Sequence, residues 1–262
     1  MLLKSADDKT QRLAFLAALA RRLPDGEARQ WAIDQAFRTR KGWEGEQVSA
    51  LYLDRCFADS PHHVLLHDLR LRVGHETAQI DHLLLGRHFQ CCLLETKHYG
   101  GQLHIDARGR FDVYYADGRH FSPERQPLEQ SQRHARLLRQ GLAALGVAGR
   151  LHRSPAFQHV VLLHPHTRAD WPTQARWGRN AGILKADQLT PEHPLLAQPQ
   201  GWWGGLRGWL NQCSRTTLLD WGQRLLAAHQ PEDPYRLPDF ITPPAHAVPA
   251  HRPRQQRHNA SH

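Results

Sequence analysis

Residues 78–101, AQIDHLLLGRHFQCCLLETKHYGG, contain the pattern that decides the fold prediction. Side chains along a β-strand alternate between its two faces, and the alternation here predicts one strand with Asp81 near its middle. Gly86-Arg87 predicts a tight turn into a returning strand. Glu95 and Lys97 are two residues apart in that second strand and therefore share one of its faces. We expect the two strands to pair and to bring both acids to one side of the sheet.

The charged residues at the end of this apolar run need an explanation, because burying a carboxylate or an ammonium is costly unless each has a partner or a metal. Two converging carboxylates, Asp81 and Glu95, supply the oxygen ligands that Mg²⁺ prefers and leave water positions open for a phosphate and an attacking water. Lys97 would then face the attacking water or the charge that develops on phosphorus. The pattern predicts metal-assisted hydrolysis of a phosphodiester.

The same residues resemble a known family. Gln79-Ile80-Asp81-His82, followed by Glu95-Thr96-Lys97 and Tyr99-Gly100, is similar to the motifs of the nuclease-related domain (NERD), a branch of the PD-(D/E)XK nuclease superfamily. Upstream, residues 42–46 (GWEGE) resemble the family's Gly-x-x-Gly-Glu at the start of its first core helix. Downstream, residues 127–130 (PLEQ) resemble its Pro-x-x-Gln helix start. The resemblance extends from Gly42 to Leu163.

The resemblance implies a fold class, a reaction and a set of site residues. The fold would be α/β, with a restriction-endonuclease-like mixed central sheet flanked by helices. The cofactor would be Mg²⁺, with Mn²⁺ as a substitute, and the metal ligands would be Asp81, Glu95 and the carbonyl of Thr96. The implied catalytic residues are Glu46, Asp81, Glu95 and Lys97, with Gln130 as an accessory. The chain departs from the family at His98 and Gln126, where the family often has Asn.

The composition is consistent with a polyanionic partner. The chain has 34 Lys and Arg against 25 Asp and Glu, a formal net charge of +9 and a pI of about 9.9. Such an excess of positive charge favours association with nucleic acid, although it says nothing about the fold. DNA is the expected substrate and partner.

The cysteines and the apolar runs suggest where the protein resides. The cysteines at positions 56, 91, 92 and 213 match neither a zinc ribbon nor a disulfide framework, which favours a reducing compartment. The first residues turn acidic at Asp7-Asp8 before a signal-peptide core can develop, and no apolar run has the length of a membrane span. We expect a soluble cytoplasmic protein with no membrane partner.

Helical periodicity, breakers and composition predict four regions along the chain. These are an N-terminal helical region (1–41), a nuclease-like core (42–185), a C-terminal helical cap (186–230) and a disordered tail rich in Pro, His and Arg (231–262). Within them we expect helices over 8–23, 27–40, 44–57 and 127–145, strands over 64–73, 157–163 and 182–185, and a β-meander over 103–121 that extends the central sheet. The strand at 157–163 should pair in parallel after a helical crossover.

Other interpretations of the same residues remain open. An acid in the first turn of a helix, such as Glu46, is favoured by the helix dipole alone, and Gln130 can be an ordinary surface amide. Three tryptophans, Trp202, Trp203 and Trp209, are better explained by core packing than by base stacking. Two alternatives compete with the enzyme: a non-catalytic nucleic-acid-binding module with a vestigial or partner-regulated site, and a buried ion-pair cluster with a structural role only.

Overall fold

The computed structural model describes residues 1–149, 154–172, 181–196 and 212–241 of the 262-residue chain. Contacts between Cα atoms divide the chain into two compact units. The first comprises residues 1–7 and 41–232, and the second comprises residues 8–40 and 233–262. The predicted Trp202, Trp203 and Trp209 cluster lies outside the described residues, as do residues 242–262 of the predicted tail.

The described part of the chain contains both helices and strands. In chain order they are β1 (Leu2–Lys4), α1 (Thr10–Arg22), α2 (Glu27–Phe57), β2 (His63–Val73), β3 (Glu76–Gly86), β4 (Gln90–Lys97), β5 (Gln102–Ile105), β6 (Phe111–Tyr114), β7 (His120–Phe121), α3 (Pro127–Ala144), β8 (Ala156–Leu163), β9 (Ala169–Asp170), β10 (Ala181–Lys185), a 3₁₀ turn (Ala186–Gln188) and α4 (Arg215–Ala227). None of the described helices combines the length and the apolar character needed to cross a membrane.

A six-stranded mixed sheet forms the centre of the first unit, in the order β1-β2-β3-β4-β8-β10. Strand β3 is antiparallel to both of its neighbours, β2 and β4. The other pairs, β1 with β2, β4 with β8 and β8 with β10, are parallel. Helix α3 connects β4 to β8, and a connection of this length is what a parallel pair requires. The prediction of an α/β fold with a mixed sheet flanked by helices is confirmed.

Strand β4 is buried on both faces, and its two faces contact different helices. Cys91 and Leu93 belong to a cluster that includes apolar residues of α3 and α4. Cys92 and Leu94 belong to another cluster, which includes residues of α2. Because side chains alternate, Glu95 continues the face covered by α3, and Thr96 continues the face covered by α2. The end of β4 therefore presents polar groups on both sides of the sheet.

Helix α2 differs from the prediction, because it is one helix over Glu27–Phe57 instead of two that meet near residue 42. Gly42 and Gly45 have low helix propensity, but neither is a proline, and tertiary packing outweighs propensity of this size. A Cβ placed on Gly45 would lie 2.8 Å from the Cβ of His98 and 3.3 Å from the Cγ2 of Thr96. Gly45 is therefore the point where α2 comes closest to the end of β4.

The predicted β-meander exists, but the expectation that it extends the central sheet is wrong. Strands β5, β6, β7 and β9 form a separate four-stranded sheet in the order β7-β6-β5-β9. Its inner side chains, among them Leu103, Phe111 and Val113, pack with Leu163 and Ile183 of the central sheet. Alternation predicted the strands correctly, but it does not specify which edge a strand joins.

The second unit has its own small core, formed by Leu19, Ala32 and Ile241. Phe15 of α1 contacts Tyr235 edge to face, with ring centroids 5.3 Å apart. Residues 231–241, the first part of the predicted disordered tail, are described as turns and extended chain, and Ile241 is buried. Order in the second unit thus extends at least to Ile241. The predicted region boundaries otherwise stay a prediction.

Candidate functional site

The two acids of the predicted site lie at the end of the β3–β4 hairpin. In this antiparallel pair the register ends with His82 opposite Leu94, directly beside Asp81 and Glu95 in the chain. The backbone N–H of Thr96 donates a hydrogen bond to Asp81 Oδ2 at 2.8 Å. Repulsion from Glu95 also acts on the Asp81 carboxyl group, which raises its pKa. The hairpin thus brings the two acids close to each other.

Lys97 completes this group. Its Nζ donates to Glu95 Oε1 at 2.7 Å and to Gln130 Oε1 at 3.5 Å. Glu95 is only 3% exposed, so its charge depends on the lysine for compensation. Gln130 reaches the lysine from the first turn of α3, where Pro127 begins the helix. The structure therefore brings together Asp81, Glu95, Lys97 and Gln130 on the α3 face.

The two acids of the group have different electrostatic surroundings. Burial, followed by repulsion from Glu95, raises the pKa of Asp81 to about 8. Burial disfavours the charged form of Lys97, but Glu95 and Asp81 together raise the pKa of the lysine above its ordinary value. The group thus contains the Glu95–Lys97 ion pair beside an Asp81 whose protonated form is favoured by burial.

His134 adjoins the group, although it was not among the predicted site residues. Its Nδ1 lies 3.8 Å from Glu95 Oε2, and its side chain is buried. Burial, with Arg133 and Lys97 nearby, lowers the pKa of His134 to about 4, so the ring is neutral at pH 7. The available signal was its spacing, since His134 follows Gln130 by one helical turn.

Asp68 is an acid that the sequence analysis missed. It lies in β2 between His67, which pairs with His82, and Leu69, which pairs with Ile80, and the pairing of β2 with β3 is interrupted at its position. Its φ of 48° is uncommon for a residue with a side chain. Its Oδ2 accepts from the backbone N–H of Asp7 at 2.9 Å, and its charge contributes to the raised pKa of Asp81. An acid inside the apolar run of β2 was the signal.

Glu46 lies on α2, directly after the close contact that Gly45 makes with β4. Its side chain is half-buried, and its Oε1 would be 3.8 Å from a Cβ on Gly42. The glycines at positions 42 and 45 thus have different surroundings. A Cβ on Gly42 would make an ordinary contact with Glu46, whereas a Cβ on Gly45 would clash with His98 and crowd Thr96. A catalytic role for Glu46 stays a prediction.

A chain of buried histidines lies on the opposite face, behind Asp81 and Glu95. His67 Nε2 is 2.9 Å from Asp54 Oδ1, and His67 Nδ1 is 2.6 Å from His82 Nδ1. His82 Nε2 is 3.1 Å from Thr96 Oγ1. Both rings are almost completely buried. These contacts join residues from α2, β2, β3 and β4.

A comparison with known protein families identifies this part of the chain. Residues 41–164 match the family model described as the nuclease-related domain. This segment, which is less than half of the chain, is thus similar to the nuclease-related domain. The resemblance seen over Gly42–Leu163 is thereby confirmed, and the matched segment contains every predicted site residue. No curated protein and no solved structure matches the chain.

The family match indicates a nuclease-related function for residues 41–164. Within the matched segment, the acids and Lys97 come from β3 and β4, and Gln130 comes from α3. Glu46 comes from α2, which covers the opposite face of the sheet, so the described contacts join four of the five predicted catalytic residues.

Proposed function

We propose that residues 41–164 form a metal-dependent nuclease that hydrolyses phosphodiester bonds, with DNA as its substrate. The observation that carries the proposal is the end of the β3–β4 hairpin, where the Thr96 N–H donates to Asp81 Oδ2 at 2.8 Å and Lys97 Nζ lies 2.7 Å from Glu95 Oε1. A mixed sheet with helices on both faces supports a restriction-endonuclease-like arrangement, in which such a hairpin would bear the site.

The proposed donors, two carboxylates and a backbone carbonyl, are all oxygen atoms and therefore fit Mg²⁺ better than a metal that prefers nitrogen or sulfur. Within residues 1–149, 154–172, 181–196 and 212–241, no group of three or more His, Cys, Asp and Glu side chains is placed to hold a metal. Mg²⁺ commonly binds through one or two carboxylates and keeps several waters. Asp81, Glu95 and the Thr96 carbonyl would hold it, and Mn²⁺ would substitute. The bound ion would activate a water and neutralise charge on the phosphate.

Lys97 would act as a fixed cation and not as a general base, because its neighbours favour its protonated form. Its ammonium would stabilise the charge that develops on the phosphate oxygens during attack. Gln130, which contacts the same ammonium, would orient it, and Glu46 would support the site from α2.

Two basic side chains of α3 have other contacts, since Arg133 pairs with Glu76 at 3.0 Å and Arg139 lies over Phe157.

Cleavage of DNA by the purified full-length chain tests the proposal. We expect cleavage with Mg²⁺ or Mn²⁺ and none with EDTA. Asp81→Asn and Lys97→Ala should each lower the rate at least about a hundredfold, because each removes charge stabilisation from the transition state. Glu124→Gln, which changes an exposed acid outside the group, is the matched control. Linear, circular, single-stranded and branched DNA, with an RNA of the same sequence, define the substrate.

One observation favours the competing, non-catalytic interpretation. Without a cation the group is already electrically compensated, since Lys97 pairs with Glu95 and burial keeps Asp81 largely protonated at neutral pH. A binding module would associate with DNA but never cut it. Cleavage by Asp81→Asn at the wild-type rate would remove the enzyme assignment, and salt-sensitive binding without cleavage by wild type would establish the module.

A further inference from the structure

The chain of contacts from Asp54 to Thr96 has a defined direction. A carboxylate can only accept, so His67 must carry its proton on Nε2 to bond Asp54. Burial lowers the pKa of His67, which keeps the ring neutral, so its Nδ1 must accept. The proton in the 2.6 Å contact between the two Nδ1 atoms therefore belongs to His82. His82 Nε2 is left to accept from the hydroxyl of Thr96.

The side chain of Thr96 is fixed at both of its branches. Its hydroxyl bonds His82 Nε2 at 3.1 Å, and its methyl faces Gly45, where an added Cβ would lie 3.3 Å away. A side chain held in this way restrains its own backbone. The Thr96 backbone lies between Glu95 and Lys97, and its N–H holds Asp81 Oδ2 at 2.8 Å.

We infer that Asp54, His67 and His82 form a relay of hydrogen bonds that positions Thr96, and through Thr96 the acid Asp81, from the face opposite the candidate site. These three are positioning residues, since none of them lies on the face that would meet a substrate. Asp54 sets the direction of the relay because it is the one member that can only accept. Its side chain is 37% exposed, so it links a buried chain to the surface.

The inference rests in part on the proposed function, because the consequence for metal binding requires a metal. Removing a residue that hydrogen-bonds to a metal ligand typically lowers the affinity for the metal about 10–100-fold. The hydrogen-bond direction and the hold on the Thr96 backbone do not depend on that proposal. They can be measured in the metal-free protein.

Nuclear magnetic resonance of the full-length, ¹⁵N-histidine-labelled, metal-free chain at neutral pH tests the direction. We expect His67 protonated on Nε2 and His82 protonated on Nδ1. Asp54→Asn keeps an accepting oxygen and should preserve both tautomers, whereas Asp54→Ala should leave a mixture. Finding His82 protonated on Nε2 in the wild type would overturn the relay.

A pair of substitutions at Thr96 tests the positioning. Thr96→Val keeps the shape but removes the hydroxyl, and Thr96→Ser keeps the hydroxyl. We expect Thr96→Val to speed hydrogen exchange of the residue 96 amide about tenfold and to weaken Mn²⁺ binding about 10–100-fold, with Thr96→Ser close to wild type. Unchanged exchange in Thr96→Val would refute the positioning role.

The two hypotheses fail separately in this design. If the wild type shows the expected tautomers and the Thr96→Val exchange effect but binds no Mn²⁺, the relay stands and the metal-dependent function is wrong. If the wild type binds Mn²⁺ but Thr96→Val changes neither exchange nor affinity, the relay is wrong and the function is unaffected. Thermal unfolding of each variant identifies any global loss of structure, and the wild-type tautomers decide the direction without a variant.

Discussion

Asp81 is subject to two opposing effects. It accepts a hydrogen bond from the Thr96 backbone, which favours its ionised form, while burial and the nearby Glu95 favour its protonated form and prevail. A divalent cation would reverse that balance, because the attraction of two positive charges outweighs repulsion by a neighbouring carboxylate. In the proposed enzyme, ionisation of Asp81 and metal binding are therefore the same event.

The pH dependence of stability follows from this residue. The pKa of Asp81 is raised to about 8 in the folded chain, so the folded state retains a proton that the unfolded chain loses above its ordinary pKa of 3.8. Asp81 thus lowers stability progressively as the pH rises from about 4 to 8. We expect metal-free Asp81→Asn to be more stable than wild type at pH 8, since each unit by which the pKa of Asp81 is raised corresponds to about 1.4 kcal/mol of stability lost on ionisation.

Urea denaturation at pH 5 and pH 8 in the presence of EDTA measures this difference. The advantage of Asp81→Asn should shrink toward pH 4, and Glu124→Gln should show no such trend. Equal stability of Asp81→Asn and wild type across the whole range would mean that the carboxyl group is not destabilised by its surroundings.

The positions of single site residues could be predicted where strand alternation determines the face on which a side chain lies. Asp81, Glu95 and Lys97 lie on one strand or on its hairpin partner, so a period of two sufficed to place them together. Asp68 and His67 were missed because their neighbours depend on the register of β2, which no local pattern specifies. Thr96 was proposed for its carbonyl, whereas its hydroxyl contact required residues from three other elements.

At the scale of elements, the two glycines of α2 allow a matched test of how the helix meets β4. Gly45→Ala would bring a Cβ to 2.8 Å from His98, so it should cost about 1–3 kcal/mol of stability through overpacking. Gly42→Ala would meet nothing closer than Glu46 Oε1 at 3.8 Å, so it should add up to about 1 kcal/mol through helix propensity. The two changes are chemically identical and are predicted to have opposite signs.

Chemical denaturation of both variants measures the effect, and circular dichroism checks that the helix content is kept. A gain in stability from Gly45→Ala would show that α2 does not approach β4 as closely as described. Cleavage should fall with Gly45→Ala, because the contact lies beside Thr96 and Glu46.

The elements with strong periodicity were predicted well. Helix α3 has a proline at its start and a clear apolar stripe, and the parallel pairing of β8 followed from the crossover length. Two features were missed for physical reasons. Strand β1 has three residues, too few to show a period. The continuity of α2 depends on packing that outweighs the low propensity of two glycines.

At the scale of the whole molecule, the net charge of +9 has a measurable consequence for nucleic-acid binding. Each phosphate contact releases counterions, so affinity for duplex DNA should fall about 10³–10⁵-fold between 50 and 200 mM salt if six to ten phosphates are contacted. Arg136 is exposed on α3. Arg136→Ala should reduce the slope of log affinity against log salt concentration by about 1.

Fluorescence anisotropy in metal-free buffer measures this binding without cleavage. Arg55→Ala is the matched control, since Arg55 is exposed on α2, which covers the other face of the sheet. Affinity that does not vary with salt would exclude phosphate contacts as the basis of binding, and equal slopes for the two variants would exclude α3 as the contacting helix.

The hairpin of β3 and β4 also bears on how the chain acquires its structure. Segments close in sequence pair early, because closing a short loop costs less conformational entropy than closing a long one. We therefore expect the β3–β4 hairpin to bring Asp81 and Glu95 together before α3 and β8 complete the sheet. Repulsion between the two carboxylates would then oppose an early step of folding, and the folding rate measured by stopped flow should rise when protons or divalent ions neutralise them.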